Sequence, residues 1–389
     1  MSVAVSEFGS KSRLRALLEH FSQIDDPREP WRVAHPLPEV LLLVVCATIA
    51  DCEDYETIGA WGEQHLAFLR RFLPYHHGVP GARWLTLLMN RIDPALFSAC
   101  FTAWVREVWP ERSELIAIDG KTSRRSHDRS AGVAPLHLVS AFATTSRLVL
   151  GQEGVEEKSS ETSAIPLLLE RLAADGALHG ALVTIDAIAT NPTIAAAITQ
   201  AGADYLLAVK ANQPGLRAEI ETFFQDASPA GVDTFVDLDK DHGRIEQRSV
   251  SVAREVDWLS GDRRFPGELR LPEVATIIKV SSRAQLKDRS RFETRYYISS
   301  AALTAEAAAK AVRGHWAIEN SLHWVLDVVF KDDQSRLRTG HGATNMALVR
   351  HFAINLVRAA ADKNSIRLRR KLAGWNEDYL ASILNPKTR

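Results

Sequence analysis

Two short apolar runs, each ending in an acid, decide the fold: Leu115-Ile116-Ala117-Ile118-Asp119-Gly120 and Leu182-Val183-Thr184-Ile185-Asp186. Short apolar runs of this kind are typical of buried strands. If both strands lie in one parallel sheet, Asp119 and Asp186 come to the same edge, where ligands bind in open α/β sheets. An aspartate at a strand end also often caps a turn or a helix, so both interpretations stay open for each acid.

The surrounding sequence supplies further elements in a definite order. Strands are predicted over Leu136–Phe142, Leu148–Glu153 and Tyr205–Lys210, and helices over Ala164–Ala174 and Thr193–Gln200. The first three strands can pair as hairpins, whereas the later two need helical crossovers because parallel strands cannot be joined by tight turns. This order matches the RNase H-like arrangement up to its fifth strand, so an α/β fold is expected.

Changes in composition divide the chain into five predicted segments. Leu37–Ile49 is apolar nearly all round and predicts a buried helix, whereas short β-branched runs such as Arg248–Val252 predict an all-β insertion. The expected segments are an all-α N-terminal domain (1–110), the first part of an RNase H-like core (112–225), a β-rich insertion (226–303), a helical part of the core carrying a third acid (304–360) and a basic C-terminal segment (361–389).

Composition excludes several classes of protein. With 389 residues, 46% of them hydrophobic, the chain is long enough for a large buried core and is not a disordered or collagen-like sequence. Three cysteines make neither a disulfide framework nor a zinc ribbon and fit a reducing compartment. The apolar run Val40–Ala50 is too short for a bilayer, which needs about 20 residues, and the first ten residues lack a signal-peptide pattern. We therefore expect a cytoplasmic protein without a membrane partner.

The net charge of −1 conceals opposite local charges. Residues 120–150 carry 5 Lys and Arg against 1 acid, a net of +4, and residues 311–371 carry 11 against 5, a net of +6. Residues 1–110 carry 10 against 13, and residues 151–310 carry 18 against 24. The two basic windows flank candidate acidic residues, so near-neutrality of the whole chain does not exclude nucleic acid as a partner.

A third acid, Glu319, lies between two histidines at helical spacing. His315, Glu319 and His323 follow one another at i, i+4 and i+8, so a helix would place them on one face. Three interpretations remain open: a zinc or di-iron face, a solvated flank, or a glutamate that joins the two strand aspartates around hard divalent cations. Three carboxylates could hold two Mg²⁺ ions about 3.5–4 Å apart, which suits in-line displacement at a phosphodiester.

Six motifs in order carry a family resemblance. They are Ile118-Asp119-Gly120-Lys121, Leu136-His137-Leu138-Val139-Ser140-Ala141-Phe142, Thr184-Ile185-Asp186-Ala187, Lys210-Ala211-Asn212-Gln213-Pro214, His242-Gly243-Arg244-Ile245-Glu246 and His315-Trp316-Ala317-Ile318-Glu319-Asn320. Together, from about Leu17 to Leu384, they resemble the DDE transposases of bacterial insertion sequences, in the H-repeat-associated (ISAs-type) group.

The resemblance implies an activity, a site and partners. Asp119, Asp186 and Glu319 would be the catalytic, metal-binding acids, holding two Mg²⁺ ions that Mn²⁺ could replace. The protein would cleave DNA at the terminal inverted repeats of an element and join the 3′-hydroxyls to target DNA, as a homodimer or higher multimer, associated with the nucleoid when bound. The related insertion-bearing transposases place a Tyr and an Arg before the glutamate and a Lys after it. Here His315 lies four residues before and Leu326 seven residues after, so that signature is absent.

Several residues near these acids are candidates for DNA contacts. The set is Lys121, Arg124, Arg125, Lys210, Asn212, Gln213, Arg244, Arg313, His315, Asn320 and His323. Cations next to the acids could bind backbone phosphates. The alternatives are a solvated loop for the first three, a turn for Lys210 and its neighbours, and a β-turn around Arg244. The C-terminal cluster Arg367, Arg369, Arg370 and Lys371 fits either solvated helix surface or a DNA clamp. Trp258, Trp316 and Trp324 are expected in the core, with base-stacking platforms as the alternative.

Two other functions stay compatible with the sequence. A domesticated or inactive relative would bind DNA without cutting it, although all three carboxylates are present here. A metal-dependent nuclease would use the same core for hydrolysis and never join 3′ ends to a target. The end sequence, the target preference and the excision route do not follow from the residues.

Overall fold

The computed structural model describes residues 12–110, 114–127, 132, 134–155, 161–186, 190–228, 231–241, 244–260, 270–285 and 290–385. Contacts between residues divide the chain into two compact units. The helical unit comprises Met1–Pro110, Ser123–Leu136 and Trp324–Arg389, and the sheet unit comprises Glu111–Thr122 and His137–His323. The boundaries therefore differ from the predicted ones, because the C-terminal residues pack with the N-terminal helices and the predicted helical part of the core is divided at Trp324.

Nine strands of the described residues form one sheet, in the order β3-β2-β1-β4-β5-β9-β8-β7-β6. The strands are β1 (Leu115–Thr122), β2 (His137–Ala143), β3 (Leu148–Val155), β4 (Leu182–Ile185), β5 (Asp204–Val209), β6 (Asp233–Asp241), β7 (Arg244–Ala253), β8 (Thr276–Gln285) and β9 (Ser290–Ser299). The first three strands pair antiparallel, and β1, β4 and β5 run parallel to one another. The predicted order of the first five strands is confirmed.

Strands β6 to β9 extend this sheet instead of forming a separate one. β9 pairs antiparallel with β5, from Leu206 opposite Ser299 to Val209 opposite Tyr296. The predicted β-rich insertion therefore continues the sheet of the first five strands, since the free edge of β5 offers backbone groups that β9 can pair. Strand β6 was missed because four of its nine residues are aspartates, which interrupt the apolar run Phe235-Val236 and make the segment look like a loop.

Helices of the sheet unit cover the sheet, and the last of them leads the chain to the third acid. They are α7 (Glu161–Ala174), α8 (Pro192–Gln200), α9 (Pro214–Asp226), α10 (Asp257–Ser260) and α11 (Ala305–His315), followed by a π-helical turn (Ile318–His323). Ala305, Ala308 and Ala311 of α11 belong to a buried cluster with sheet residues such as Ile278. These small side chains let the helix approach the strands closely, and α11 leads directly to the predicted third acid.

The helical unit is built around one long buried helix and an aromatic cluster. Its helices are α1 (Arg13–Phe21), α2 (Leu37–Ile49), α3 (Tyr55–Gln64), α4 (Leu66–Leu69), α5 (Ala82–Met89), α6 (Pro94–Val108), α12 (Trp324–Val328), α13 (Gly342–Arg358), α14 (Ile366–Trp375) and α15 (Glu377–Leu384). The ring of Phe352 on α13 packs against Phe21 and Phe101 at centroid distances of 5.3 and 4.8 Å. The prediction that Leu37–Ile49 forms a buried helix is confirmed.

Burial changes the interpretation of the basic windows and of the C-terminal cluster. Arg350 pairs with Asp332 inside the helical unit, while Arg369 and Arg370 of α14 are also buried. Both predicted roles of the C-terminal cluster, solvated surface and DNA clamp, are therefore wrong for Arg369 and Arg370, because their donors bond to groups of the protein itself.

The structure also bears on the three tryptophans and on membrane crossing. Trp258, Trp316 and Trp324 are partly exposed, so the expectation that they lie in the core is wrong. Among the residues that the structure describes, none of the helices has both the length and the apolar character that crossing a bilayer requires.

Candidate metal centre

Asp119 and Asp186 lie side by side on neighbouring parallel strands. The paired register of β1 and β4 ends at Ile118 opposite Ile185, which makes the two aspartates the next residues on their strands. The expectation that both acids reach the same edge is confirmed. Strand β1 continues past Asp119 to Thr122 along β2, so Asp119 is paired with Ser140 on that side and does not stand at a free strand end.

The third acid reaches this edge through a break in the helix. Helix α11 ends at His315, and the chain resumes as the π-helical turn that contains Glu319 and His323. The regular helix is therefore interrupted, since a π turn holds an extra residue and shifts the positions that follow, but His315 and Glu319 still line one cleft. The shift places the Nδ1 atom of His323 3.6 Å from both Asp119 Oδ2 and Glu319 Oε2.

Three of these side chains are close enough to share a cation. Ligand atoms of Asp119, Glu319 and His323 all lie within 4.8 Å of one another. Two carboxylates and one imidazole are a donor set that divalent cations accept, so the residues fit a metal ion. Asp186 is held differently, because Lys210 Nζ lies 2.6 and 3.0 Å from its two carboxylate oxygens.

A cleft of about 330 Å³ opens over this edge of the sheet. All three acids line it, together with Lys210 and His315. The surroundings of two of these carboxyls shift their pKa values in opposite directions. Burial, with help from the charge of Glu319, raises the pKa of Asp119 to about 6, while the adjacent His323 side chain lowers the pKa of Glu319.

The raised pKa of Asp119 predicts a pH-dependent cost in stability. A buried carboxyl with a raised pKa stabilises the folded state while protonated, and this contribution is lost as pH rises from about 4 through 6. In EDTA at pH 7.5, Asp119→Asn should therefore unfold at a higher temperature than the unmodified protein. A gain of about 1 kcal/mol in the free energy of unfolding corresponds to a rise of roughly 2–4 °C in the unfolding temperature of a domain of this size. Calorimetry measures the difference.

The same comparison at pH 4.5 is the control. There Asp119 is mostly protonated, so the two proteins should unfold at nearly the same temperature. At pH 7.5 with excess Mn²⁺ the order should reverse, because only the ionised carboxylate binds the cation well. An equal gain at both pH values would contradict the assignment of the raised pKa to Asp119.

His315 and the residues after β5 take up positions around the cleft. His315 Nδ1 lies 3.3 Å from Thr184 Oγ1, and burial lowers the pKa of this histidine, so its ring is neutral near pH 7. Gln213 donates from Nε2 to the carbonyl oxygen of Thr190 at 2.9 Å, which is the turn-satisfying role that the sequence left open. Asn212 lies exposed in the same turn.

The basic residues after the first acid divide between the two units. Lys121 is only 9% exposed, so the expectation of a phosphate contact from an open side chain is not supported by its burial. Arg124 and Arg125 belong to the helical unit. There Arg124 Nε lies 3.3 Å from Asp333 Oδ2, and the carbonyl oxygen of Arg125 accepts a hydrogen bond from Arg338.

The remaining candidates lie along the extended sheet. Arg313 is paired with Asp237 and Asp239 of β6, so neighbouring acids already balance its charge. It lines, with Asn320, a second cleft of about 590 Å³. Arg244 begins β7, and its side chain, like the whole of His242 and Gly243, lies outside the described residues. His323 is 5% exposed, which revises its predicted role from a DNA contact to a neighbour of the carboxylates.

Sequence reasoning missed the residues that join the two clefts. Glu293, Arg295, Tyr297 and Trp316 line both, and the Arg295 guanidinium lies 5.5 Å from the centre of the Trp316 ring. The alternation of Glu293, Arg295 and Tyr297 along β9 was a usable signal, since every second residue of a strand faces the same side.

Comparison with known proteins identifies the class. The family model described as "Transposase DDE domain" matches residues 110–356, and the model described as "DDE_Tnp_1-associated" matches residues 18–105. The chain belongs to this DDE transposase family. It is 38% identical over 375 residues to the "H repeat-associated putative transposase YhhI" of Escherichia coli (strain K12), covering 95% of this chain and 98% of that protein.

One further relative and one solved structure also align with this chain. The "Putative transposase YncI" of Escherichia coli O157:H7 is 35% identical over 382 residues, covering 95% of each chain. A solved piggyBac transposase synaptic complex with hairpin DNA aligns over 99% of this chain and 84% of that chain, with 11% identity and a TM-score of 0.42. That score is too low to argue a shared fold, so the family assignment rests on the sequence matches.

Proposed function

We propose that this protein is an active transposase that cleaves DNA at the ends of an insertion sequence and joins the 3′-hydroxyls to target DNA. The observation that carries the proposal is the adjacency of Asp119 and Asp186 on parallel strands, with Glu319 next to Asp119. The five-strand arrangement that places them fits an RNase H-like core. Family membership supports DNA as the substrate.

The residues of the site would have different roles at the scissile phosphate. Asp119 and Glu319 would hold a divalent cation, and Asp186 would help to hold a second one. Two bound cations, Mg²⁺ or Mn²⁺, would supply Lewis-acid stabilisation of the attacking and departing oxygens. His315, neutral and bonded to Thr184, adds no positive charge beside the carboxylates. Lys210, which pairs with Asp186, brings a cation to where a DNA phosphate would lie.

The proposed reaction has two steps, hydrolysis and then strand transfer. In the first, water attacks a phosphorus atom, a P–O bond forms, and the bond to the departing oxygen breaks to leave a free 3′-hydroxyl. In the second, that hydroxyl attacks a target phosphodiester and displaces one of its oxygens, so the number of phosphodiester bonds is conserved. Joining of two ends favours a homodimer or higher multimer on DNA. We propose the 1–110 domain, within the helical unit, as the reader of the terminal repeats.

The test uses DNA from the ends of the element. Inverted repeats flanking the gene supply the end sequence, which is labelled and incubated with the protein, supercoiled target DNA and Mg²⁺ or Mn²⁺. Labelled ends covalently joined to target DNA are the expected product. Nicked ends that never become joined would indicate a nuclease instead, and binding without any cleavage would indicate an inactive relative.

Lys210 offers a separate prediction about DNA binding. Replacing Lys210 by Met removes the cation that faces Asp186, so the affinity for end DNA should fall at low salt. Loss of one phosphate contact should also make the slope of log affinity against log salt shallower by about 1. Fluorescence anisotropy, with salt varied between about 50 and 200 mM, measures the affinity and its dependence on salt.

A matched control is Lys310→Met on α11. Lys310 is exposed and pairs only locally, at 2.8 Å, with Glu306 one turn away. Its loss should leave the salt slope within error of the unmodified protein. If Lys210→Met left the slope unchanged as well, the lysine would serve only to neutralise Asp186, and its role as a phosphate contact would be wrong.

A further inference from the structure

We propose that His323 is a direct nitrogen ligand of the cation held by Asp119 and Glu319, which gives this site a preference for Mn²⁺ over Mg²⁺. The inference rests on the proposed function for the presence of a cation, and it adds a third ligand of a different kind. It starts from the position of one buried imidazole between two carboxylates.

The distances favour a shared ion over hydrogen bonds. His323 Nδ1 lies 3.6 Å from Asp119 Oδ2 and 3.6 Å from Glu319 Oε2, beyond the usual hydrogen-bond length of about 2.7–3.2 Å. Two atoms that each lie about 2.1 Å from one ion can be at most about 4.2 Å apart. Both separations are within that limit, so the ring nitrogen can share an ion with either carboxylate.

Burial and local structure fix the ring in this place. His323 is 95% buried and sits at the end of the π-helical turn that also carries Glu319, so both ligands come from one rigid segment. Asp119 is fixed by pairing of β1 with its neighbours. Rigid ligands suit a cation, because little conformational entropy is lost on binding.

The donor set determines which cation binds best. Mg²⁺ prefers oxygen ligands, whereas an imidazole nitrogen is accepted more readily by transition metals, and Mn²⁺ also accepts carboxylates well. A site with two carboxylates and one imidazole should therefore bind Mn²⁺ more tightly than Mg²⁺. Without the imidazole, the discrimination between the two cations should become smaller.

The experiment is pulsed electron paramagnetic resonance of the full-length protein, without an affinity tag, loaded with one equivalent of Mn²⁺. A coordinated imidazole modulates the Mn²⁺ echo through its ¹⁴N nucleus, and uniform ¹⁵N labelling of histidine should replace that pattern. His323→Gln should abolish the modulation and weaken Mn²⁺ binding by about tenfold or more, while changing Mg²⁺ binding less. The matched control is His315→Gln, which alters the other cleft histidine and should keep the modulation.

Each outcome decides the inference. Absence of ¹⁴N modulation in the unmodified protein, with Mn²⁺ bound, would overturn it and would indicate an imidazolium that only pairs with the carboxylates. Equal modulation in the His323→Gln protein would overturn it too. Circular dichroism and a second variant, His323→Asn, separate loss of the ligand from misfolding. Joining of DNA ends is assayed on the same preparations, so a protein that joins ends without nitrogen coordination would refute this inference alone.

Discussion

Asp119→Ala, Asp186→Ala and Glu319→Ala are each expected to lower the yield of cleaved and joined end DNA by about 10³-fold or more. Each carboxylate helps to hold the cations that stabilise charge at the phosphorus, and the loss of about 4 kcal/mol of transition-state stabilisation corresponds to a factor of this size. Product formation in single-turnover reactions, with protein in excess over labelled ends, measures the loss.

The control for this series is Glu306→Gln on α11. Glu306 is an exposed acid of the sheet unit that pairs with Lys310, so its replacement should leave product formation unchanged. Binding of end DNA by the three alanine variants should persist, which would separate loss of chemistry from loss of recognition. Cleavage at the unmodified rate by all three variants would refute the site.

Arg370→Ala is expected to destabilise the helical unit by about 2–4 kcal/mol, because a large buried side chain is removed and buried carbonyl oxygens lose their donors. Arg370 is 1% exposed and lies 3.0 Å from Asp51 Oδ1. It also donates to the carbonyl oxygens of Thr48 and Val329, and its guanidinium covers the ring of Phe330. Truncation leaves these buried acceptors without a donor. Urea unfolding followed by tryptophan fluorescence measures the change.

Arg367→Ala is the matched variant, because Arg367 is exposed on the same helix, α14. Its effect on the free energy of unfolding should stay below about 0.5 kcal/mol, as for most surface positions. If the two variants were equally stable and both bound DNA more weakly, the C-terminal cluster would be a DNA clamp after all. A stable Arg370→Ala protein would refute the structural role of this arginine.

Local sequence was enough to predict the strands that carry the first two acids. The runs before Asp119 and Asp186 are apolar because both faces of a covered parallel strand are buried, and this pattern is visible without any tertiary information. The buried helix Leu37–Ile49 was likewise predicted from its nearly all-apolar composition.

Local sequence was not enough where a partner far along the chain determines the structure. Four cations within five residues, from Arg367 to Lys371, look like surface. Only packing of α14 against α2 directs one of them, Arg370, towards the carbonyl oxygen of Thr48, 322 residues away. The break after His315 is similar, because a regular spacing predicts a regular helix and gives no sign of a π turn.

The sequence by itself determined the three acids, the order of the first five strands and the family. Apolar runs and motif order are local properties that any folded context must respect. Tertiary structure alone decided the grouping of side chains around those acids: Glu319 beside Asp119, His323 between them, and Lys210 on Asp186. The physical reason is that such grouping depends on strand register and on one irregular turn, which place atoms within a few ångströms but leave no periodic trace in the chain.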